Sequence, residues 1–183
     1  MKIKQFQFND ISVNTYIVWD SQTLDAVIID PGCYYPQEEQ TLKQFVEDNK
    51  LNINHILNTH LHFDHIFGNN FAEETFGVAA KAHSADMPWL LQIGRRLASF
   101  GIQYNKSVNP IKPENFLQEG DTVSLYDFDF EFDDSSDIVF WCIRCHFRKY
   151  FDRRYHCVYP VFHPNCIFIY HITILFCFKL IYH

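Results

Sequence analysis

Residues 59–65, with the sequence THLHFDH, concentrate side chains that bind transition metals. Side chains at alternating positions of an extended backbone point to the same side, so His60 and His62 can bind one ion together. Asp64 and His65, after the chain turns, can face a neighbouring ion. Imidazole and carboxylate ligands suit Zn²⁺, Fe or Mn²⁺ rather than Ca²⁺ or Mg²⁺ alone. The segment therefore predicts a metal centre.

The chemistry expected of such a centre is hydrolysis. An ion with an open coordination position lowers the pKa of its bound water to roughly 7 and supplies hydroxide at neutral pH. A second ion nearby can stabilise the leaving group, and Asp64 can orient the attacking water. The alternative, that these residues are merely packed or solvent-facing, is disfavoured by three histidines and an aspartate at this spacing.

The elements that must position this segment are short strands alternating with helices. Strands are expected at residues 4–8, 15–19, 26–29, 54–58 and 78–82, and helices at residues 38–49, 66–76 and 84–93. Gly77 is the expected stop of the second helix, and Ser84 the expected N-cap of the third. A final alternating run, residues 122–132, follows the Gly120-Asp121 turn. This order predicts an α/β or α+β layered domain.

The motif resembles a known family signature. Residues 59–65, followed by Gly68, resemble the T-H-x-H-x-D-H signature of the metallo-β-lactamase superfamily. Residues 14–16 (NTY) resemble its first hairpin, residues 30–32 (DPG) its D-P-G turn, and residues 117–122 (LQEGDT) the stretch leading into its second half. The resemblance covers about residues 2–132, and within the superfamily it is to hydroxyacylglutathione hydrolase-like (glyoxalase II-like) enzymes.

This resemblance implies a fold, a cofactor and an activity. The fold is an αββα sandwich with two metal ions at one edge, zinc in the first instance and Fe or Mn as alternatives. His60 and His62 bind one ion, and Asp64 and His65 the other. The activity is that of a thioesterase or related hydrolase with a small-molecule substrate. Asp30 and His83 are further candidate ligands, but structural roles fit both better, with Asp30 buttressing its turn and His83 ending a strand.

Charge and the N-terminal sequence bear on partners and compartment. The net charge of −7 argues against nucleic acid as a partner. Residues 1–6 (MKIKQF) lack the apolar run and small-residue cleavage site of a signal peptide, which favours the cytoplasm. A membrane-spanning helix at residues 166–181 is disfavoured, since His171 and Lys179 interrupt it. The oligomeric state is left open.

The last third of the chain departs from the family pattern. Residues 133–183 contain no glycine and no alanine, and Phe, Tyr, Ile, His and Cys crowd them. The H-x-P-G-H-S-like and G-D turns that carry the family's later ligands are not found there. Because the composition resembles A/T-rich DNA translated out of frame, we hypothesise a frameshift near residue 133. Residues 1–132 are then the family-like part, residues 133–183 an aberrant tail, and the sandwich's second half is incomplete.

Two alternatives to an active hydrolase follow from this tail. In the first, the chain is a catalytically inactive family member that lacks the second-half ligands. In the second, the tail is a separate metal- or membrane-binding module. The residues that suggest it are the C-x-x-C-H run at residues 142–146, and the set formed by its Cys142 and Cys145 with His156, Cys157, His163 and Cys166.

Overall fold

Two β-sheets form the framework of the protein. The computed structural model describes residues 2–99, 111–125, 128–133 and 142–147. The first sheet has the order β1-β2-β3-β4-β5-β6 and the second the order β7-β8-β9. The strands are β1 (Lys2–Phe8), β2 (Val13–Trp19), β3 (Asp25–Ile29), β4 (Asn52–Leu57), β5 (Ala80–His83), β6 (Phe116–Leu117), β7 (Thr122–Leu125), β8 (Phe128–Asp133) and β9 (Cys142–Phe147).

The pairing changes direction along the first sheet. Strands β1, β2 and β3 pair antiparallel, whereas β3 to β6 pair parallel to one another. The second sheet is antiparallel throughout. The helices of the described residues are α1 (Pro36–Asp48), α2 (Asn69–Phe76), α3 (Met87–Leu90) and α4 (Ile93–Ser99), with 3₁₀ turns at Phe63–His65, Ser84–Asp86 and Pro113–Asn115.

Both faces of the first sheet are buried, which explains its nearly continuous apolar strands. One face packs on α1 and α2, where Ile17 and Ile28 meet Leu42 and Ala72. The other face packs on the second sheet, where Val27 and Leu57 belong to the same core cluster as the following residues of β7 and β8: Val123, Leu125 and Phe130. The described residues thus comprise one helical layer and two sheets of the expected αββα sandwich.

The strand that leads into the motif carries an irregularity. The register between β3 and β4 shifts between Ala26 and Val27, so that Ile53 and His55 pair with consecutive residues. Asn54 lies in this bulge and accepts the Ala26 N–H at 3.3 Å. Because a bulge reverses the alternation of side chains, Ile53 and Ile56 both join the helix-side core.

The predicted strands and the first two helices are confirmed with shifted ends. Gly77 is the C-cap of α2, with the left-handed φ of 69° that glycine favours. The prediction of a single helix over residues 84–93 is wrong. Pro88 has no N–H to donate to the Ser84 carbonyl, so the segment forms a 3₁₀ turn and then α3. The cap is His83 rather than Ser84: its side chain accepts the Ala85 N–H.

The C-terminal predictions are only partly covered by the structure. Residues 122–125 and 128–132 lie in two strands, β7 and β8, which pair antiparallel, rather than in one run. Residues 142–146 lie in β9, which pairs with β8. His156, Cys157, His163 and Cys166 lie outside the described residues, as does the apolar stretch 166–181. Within the part of the chain that the structure describes, no helix is long and apolar enough to cross a membrane.

Candidate metal centre

The motif is a loop that leaves the end of β4 and is closed at its base by two buried amides. Asn58 follows the strand and is fully buried. Its side chain donates to the His65 carbonyl at 3.3 Å and to Asn69 Oδ1 at 3.2 Å, and Asn69 Nδ2 donates back to Asn58 Oδ1 at 2.9 Å. The loop 59–68 is therefore held between the end of β4 and the start of α2.

Asp30, at the end of β3, is the hydrogen-bonding centre of the site. It is 4% exposed, and its φ of 50° is a left-handed conformation that aspartate tolerates. Oδ1 accepts the Thr59 N–H at 2.8 Å, whereas Oδ2 accepts the Thr59 hydroxyl at 2.5 Å and lies 3.0 Å from His65 Nδ1. One carboxylate thus ties the motif's first and last residues together.

These bonds assign the tautomers of two motif histidines. His65 Nδ1 carries the hydrogen that Asp30 accepts, so the lone pair of neutral His65 lies on Nε2. The Thr59 hydroxyl is already donating to Asp30, so at 2.9 Å it accepts from His60 Nδ1. His60 also presents an Nε2 lone pair. Hydrogen bonds of this kind on the far nitrogen are typical of metal-binding histidines.

The four predicted ligands lie together. The His60 ring centroid is 4.5 Å from that of His62 and 4.0 Å from that of His65. His60 and His65 are buried, and Asp64 and His62 are partly exposed at the loop surface. His65 Nε2 lies 3.7 Å from Asp64 Oδ2. Two ligands of one tetrahedral zinc are about 3.4 Å apart, so this pair fits one ion after a small adjustment.

The donor set suits a borderline transition metal, with three imidazoles and one carboxylate. Among the described residues, however, no group of three or more His, Cys, Asp or Glu side chains is placed so that it could hold a metal ion. His60 lies beside His62 and His65, and Asp64 lies beside His65.

Burial and the neighbouring charges set opposite protonation tendencies in this cluster. Burial lowers the pKa of His60 well below its ordinary value, and the nearby His65 and His62 lower it further. Burial also lowers the pKa of His65, but the carboxylates of Asp30 and Asp64 outweigh it, so that this pKa is raised overall. Neutral His60 is the form that ligates a metal.

The loop packs so closely against the Asp30-Pro31-Gly32 turn that glycine is needed there. A Cβ at Gly32 would lie 2.8 Å from the Asp64 carbonyl oxygen. A Cβ at Gly68 would overlap Cys33 Sγ and lie 2.7 Å from the Pro31 carbonyl oxygen. Gly32 in the turn and Gly68 after the motif therefore allow the loop to pack against the turn.

Several residues of the site were not predicted from the sequence. Asn9, at the β1–β2 turn, donates to the Gly32 carbonyl at 2.8 Å and the Asp64 carbonyl at 3.3 Å. Asn58 and Asn69 were not predicted either, although Asn58 directly precedes the motif. Asp30, expected to buttress its turn, also reaches His65. His83 ends β5, as expected, and its Nδ1 also accepts the Ala85 N–H at 3.2 Å.

The fold and the motif place the chain in a known family. The family model of the metallo-β-lactamase superfamily matches residues 9–133. The chain belongs to the metallo-β-lactamase superfamily.

The curated relatives are similar over part of their length. The hydroxyacylglutathione hydrolase GloC of Haemophilus influenzae is 29% identical over 133 residues, which are 72% of this chain and 59% of that protein. The hydroxyacylglutathione hydrolase of Pelagibacter ubique is 31% identical over 72 residues, 39% of this chain and 28% of that protein. An uncharacterized protein of Mycobacterium tuberculosis is 34% identical over 86 residues, 47% and 37% of the two chains. The chain thus spans less than two thirds of these relatives.

Solved structures show the same fold. The B3 metallo-β-lactamase BLEG-1 superposes with a TM-score of 0.61 at 24% identity, covering 81% of this chain and 68% of that one. TTHA1623 in a di-iron-bound form superposes with a TM-score of 0.54 at 25% identity, covering 71% of this chain and 59% of that one. The first likeness supports the fold alone.

Proposed function

We propose that the protein is a metal-dependent hydrolase that cleaves a thioester or ester, such as a glutathione thioester. The observation that carries the proposal is the hydrogen-bonded loop 59–65, in which Asp30 and Thr59 fix the Nε2 lone pairs of His60 and His65. Similarity to two hydroxyacylglutathione hydrolases supports the thioester substrate. A small-molecule substrate and a cytoplasmic location belong to the same proposal.

Each motif residue has a role in this proposal. His60 and His62 hold one ion, and Asp64 and His65 hold the other, with zinc, iron or manganese as the metals that the donors suit. A metal bound there supplies hydroxide at neutral pH. Asp64, partly exposed at the loop surface, orients the attacking water and is the proposed catalytic residue. Asp30 does not touch the substrate and acts through His65.

The experiment that tests the proposal is thioester hydrolysis by the zinc-loaded full chain. We expect turnover of a glutathione thioester that is lost in an Asp64→Asn variant and in a His60→Ala/His62→Ala double variant. His55→Ala is the matched control, because His55 lies on β4 and contacts the Ser124 carbonyl at 3.0 Å, outside the motif. Hydrolysis that is absent, or unchanged by the motif substitutions, would refute the proposal.

A second candidate function is a catalytically inactive family member, favoured by the family match ending at residue 133. After Phe132 the sequence contains no Pro-Gly-His and no Gly-Asp pair. In this candidate, the frameshift hypothesis explains the tail of residues 133–183, and the motif binds metal weakly or without turnover. Zinc binding that depends on His60 and His62 without hydrolysis of thioesters or esters would favour it.

The tail as a separate metal or membrane module predicts a different result. Metal would then remain bound after His60 and His62 are both replaced, because cysteines such as Cys142 and Cys145 would hold it. The same double variant therefore separates this alternative from the other two.

A further inference from the structure

Asn9 is a half-buried residue of the β1–β2 turn whose side chain reaches across to the motif. Its Nδ2 carries two hydrogens and donates to the Gly32 carbonyl at 2.8 Å and to the Asp64 carbonyl at 3.3 Å. The two acceptors lie close together, since a Cβ on Gly32 would be 2.8 Å from that Asp64 oxygen. One amide thus joins the turn after β3 to the loop after β4.

The other polar groups of Asn9 hold this amide in a fixed direction. Its backbone N–H donates to Glu38 Oε1, in the first turn of α1, at 2.6 Å. Its carbonyl accepts the Ser12 N–H at 3.0 Å, and its Oδ1 accepts the Ile11 N–H at 3.0 Å. The φ of 56° is a left-handed conformation that asparagine tolerates. The position of Nδ2 is therefore set by α1 and by the turn itself.

Apolar packing between the same turn and the motif supports this contact independently. Ile11 packs on a buried cluster that contains Phe63 and Phe67. Phe63 directly precedes Asp64 in the 3₁₀ turn Phe63–His65. The side chain before Asp64 and the carbonyl of Asp64 thus both lie against the β1–β2 turn.

The peptide that joins Asp64 to His65 is held on both of its polar groups. Its carbonyl accepts from Asn9, and its N–H donates to the His62 carbonyl at 3.1 Å. This peptide lies between the two proposed ligands of the second ion, whose atoms Asp64 Oδ2 and His65 Nε2 are 3.7 Å apart. Rotation of the peptide plane would redirect both side chains, so the two hydrogen bonds fix how the pair is presented.

We propose that Asn9 is a positioning residue, whose Nδ2 holds the Asp64 carbonyl and so sets the separation of the Asp64 and His65 side chains for binding the second ion. This inference rests on the proposed function, because it requires that Asp64 and His65 bind a metal. Asn9 acts through the backbone. Its effect falls on the second ion rather than on the ion of His60 and His62.

Two substitutions separate the donated hydrogen bonds from the other roles of Asn9. Asn9→Asp keeps the size, the tolerance of a left-handed φ and an oxygen for the Ile11 N–H, but it has no hydrogen to donate to the two carbonyls. Asn9→Gly adopts the same φ and removes the side chain altogether. Asn49→Asp is the matched control, because Asn49 Nδ2 donates to the Phe45 carbonyl at 2.9 Å at the end of α1, outside the motif.

The test is a Zn²⁺ titration of the full chain followed by ¹H–¹⁵N NMR of the histidine rings, in which His60 reports the first ion and His65 the second. We expect both Asn9 variants to bind zinc about 10–100-fold more weakly at His65, as do changes to residues that support metal ligands, and near wild type at His60. The second readout is amide hydrogen exchange of the metal-free protein. The His65 amide should exchange faster in both variants, because its peptide has lost one of two anchors. Asn49→Asp should leave every readout near wild type.

The outcomes separate this inference from the proposed function. If neither ring of the wild type responds to zinc, both are overturned. If both rings respond and the Asn9 variants bind equally well at His65, only the role of Asn9 is overturned. An equal loss at His60 and His65 would also overturn that role, because a general folding defect gives this result. Loss in Asn9→Gly without loss in Asn9→Asp would overturn it too, since the donated hydrogen bonds would then not be the cause.

Discussion

Replacing Asp30 by Asn should weaken metal binding while leaving the stability of the metal-free protein nearly unchanged. The amide has the size of the carboxylate, and Asn, like Asp, tolerates the φ of 50° at this position. When the oxygen of the substituted amide accepts the Thr59 N–H, its Nδ2 faces the Thr59 hydroxyl and His65 Nδ1. Nδ2 then donates to both groups, whereas the Asp30 carboxylate accepts from both. His65 Nδ1 becomes an acceptor, so His65 carries its hydrogen on Nε2. The Thr59 hydroxyl is released to donate to His60 Nδ1, and His60 inverts as well.

The magnitude follows from the cost of restoring the wild-type tautomers. Metal binding requires the flipped amide, whose Nδ2 faces the Thr59 N–H and leaves that buried donor unpaired. Such a group costs about 1–3 kcal/mol, which corresponds to about a 5- to 150-fold loss of metal affinity. Metal-free stability should change by only about 1 kcal/mol, because every bond reforms in weaker, neutral form.

The assay combines zinc titration, urea denaturation of the metal-free protein, and ¹⁵N NMR of the histidine rings above pH 8. We expect weaker binding, a nearly unchanged unfolding midpoint, and protonated Nε2 in His60 and His65. The matched control is Asp20→Asn, which alters a buried carboxylate outside the motif. Wild-type zinc affinity in Asp30→Asn, or wild-type tautomers in both rings, would refute the reasoning.

Four further predictions concern packing and pH. Gly68→Ala should destabilise the protein by about 1–3 kcal/mol in urea denaturation, because its Cβ would overlap Cys33 Sγ. Gly94→Ala, with open space around the added Cβ, should instead stabilise α4 by about 0.5–1 kcal/mol. Leu57→Ala should cost about 2–5 kcal/mol, since Leu57 is fully buried between the sheets; a smaller loss would contradict the packing of the two sheets. Burial, with a smaller contribution from the charge of Asp30 and against an opposing backbone contribution from Leu61, raises the pKa of Asp86 from 3.8 to about 7. The protonated form is therefore favoured in the folded protein, and the stability that it contributes below pH 3.8 is lost as the pH rises through 7. Wild type should therefore lose stability relative to Asp86→Asn between these pH values, and a parallel pair of pH–stability curves would exclude the shift.

The parts of the fold and site that could be predicted from sequence are those encoded locally. The apolar run ending in Asp30-Pro31-Gly32 predicts a buried strand and a turn, and both are found. Residues 59–65 cluster because the four candidate ligands lie within six positions of the chain. Gly77 predicts the end of α2, because the left-handed conformation there favours glycine.

The parts that could not be predicted depend on contacts between distant segments. Asp30 reaches His65 only because β3 lies beside β4 in the sheet. The interrupted helix after Ser84 has a local cause instead: Ser84 suggested an N-cap, but Pro88 has no N–H to donate in a helix that begins there.

The measurement that tests the central claim most directly is the metal content of the purified full chain beside its His60→Ala/His62→Ala variant. Both proteins are loaded with Zn²⁺, dialysed against metal-free buffer and analysed by mass spectrometry, with His55→Ala as the control. The claim that residues 59–65 are a metal centre predicts stoichiometric zinc in wild type and in the control, and its loss in the double variant. Wild type that retains no zinc, or a double variant that retains all of it, would contradict the claim.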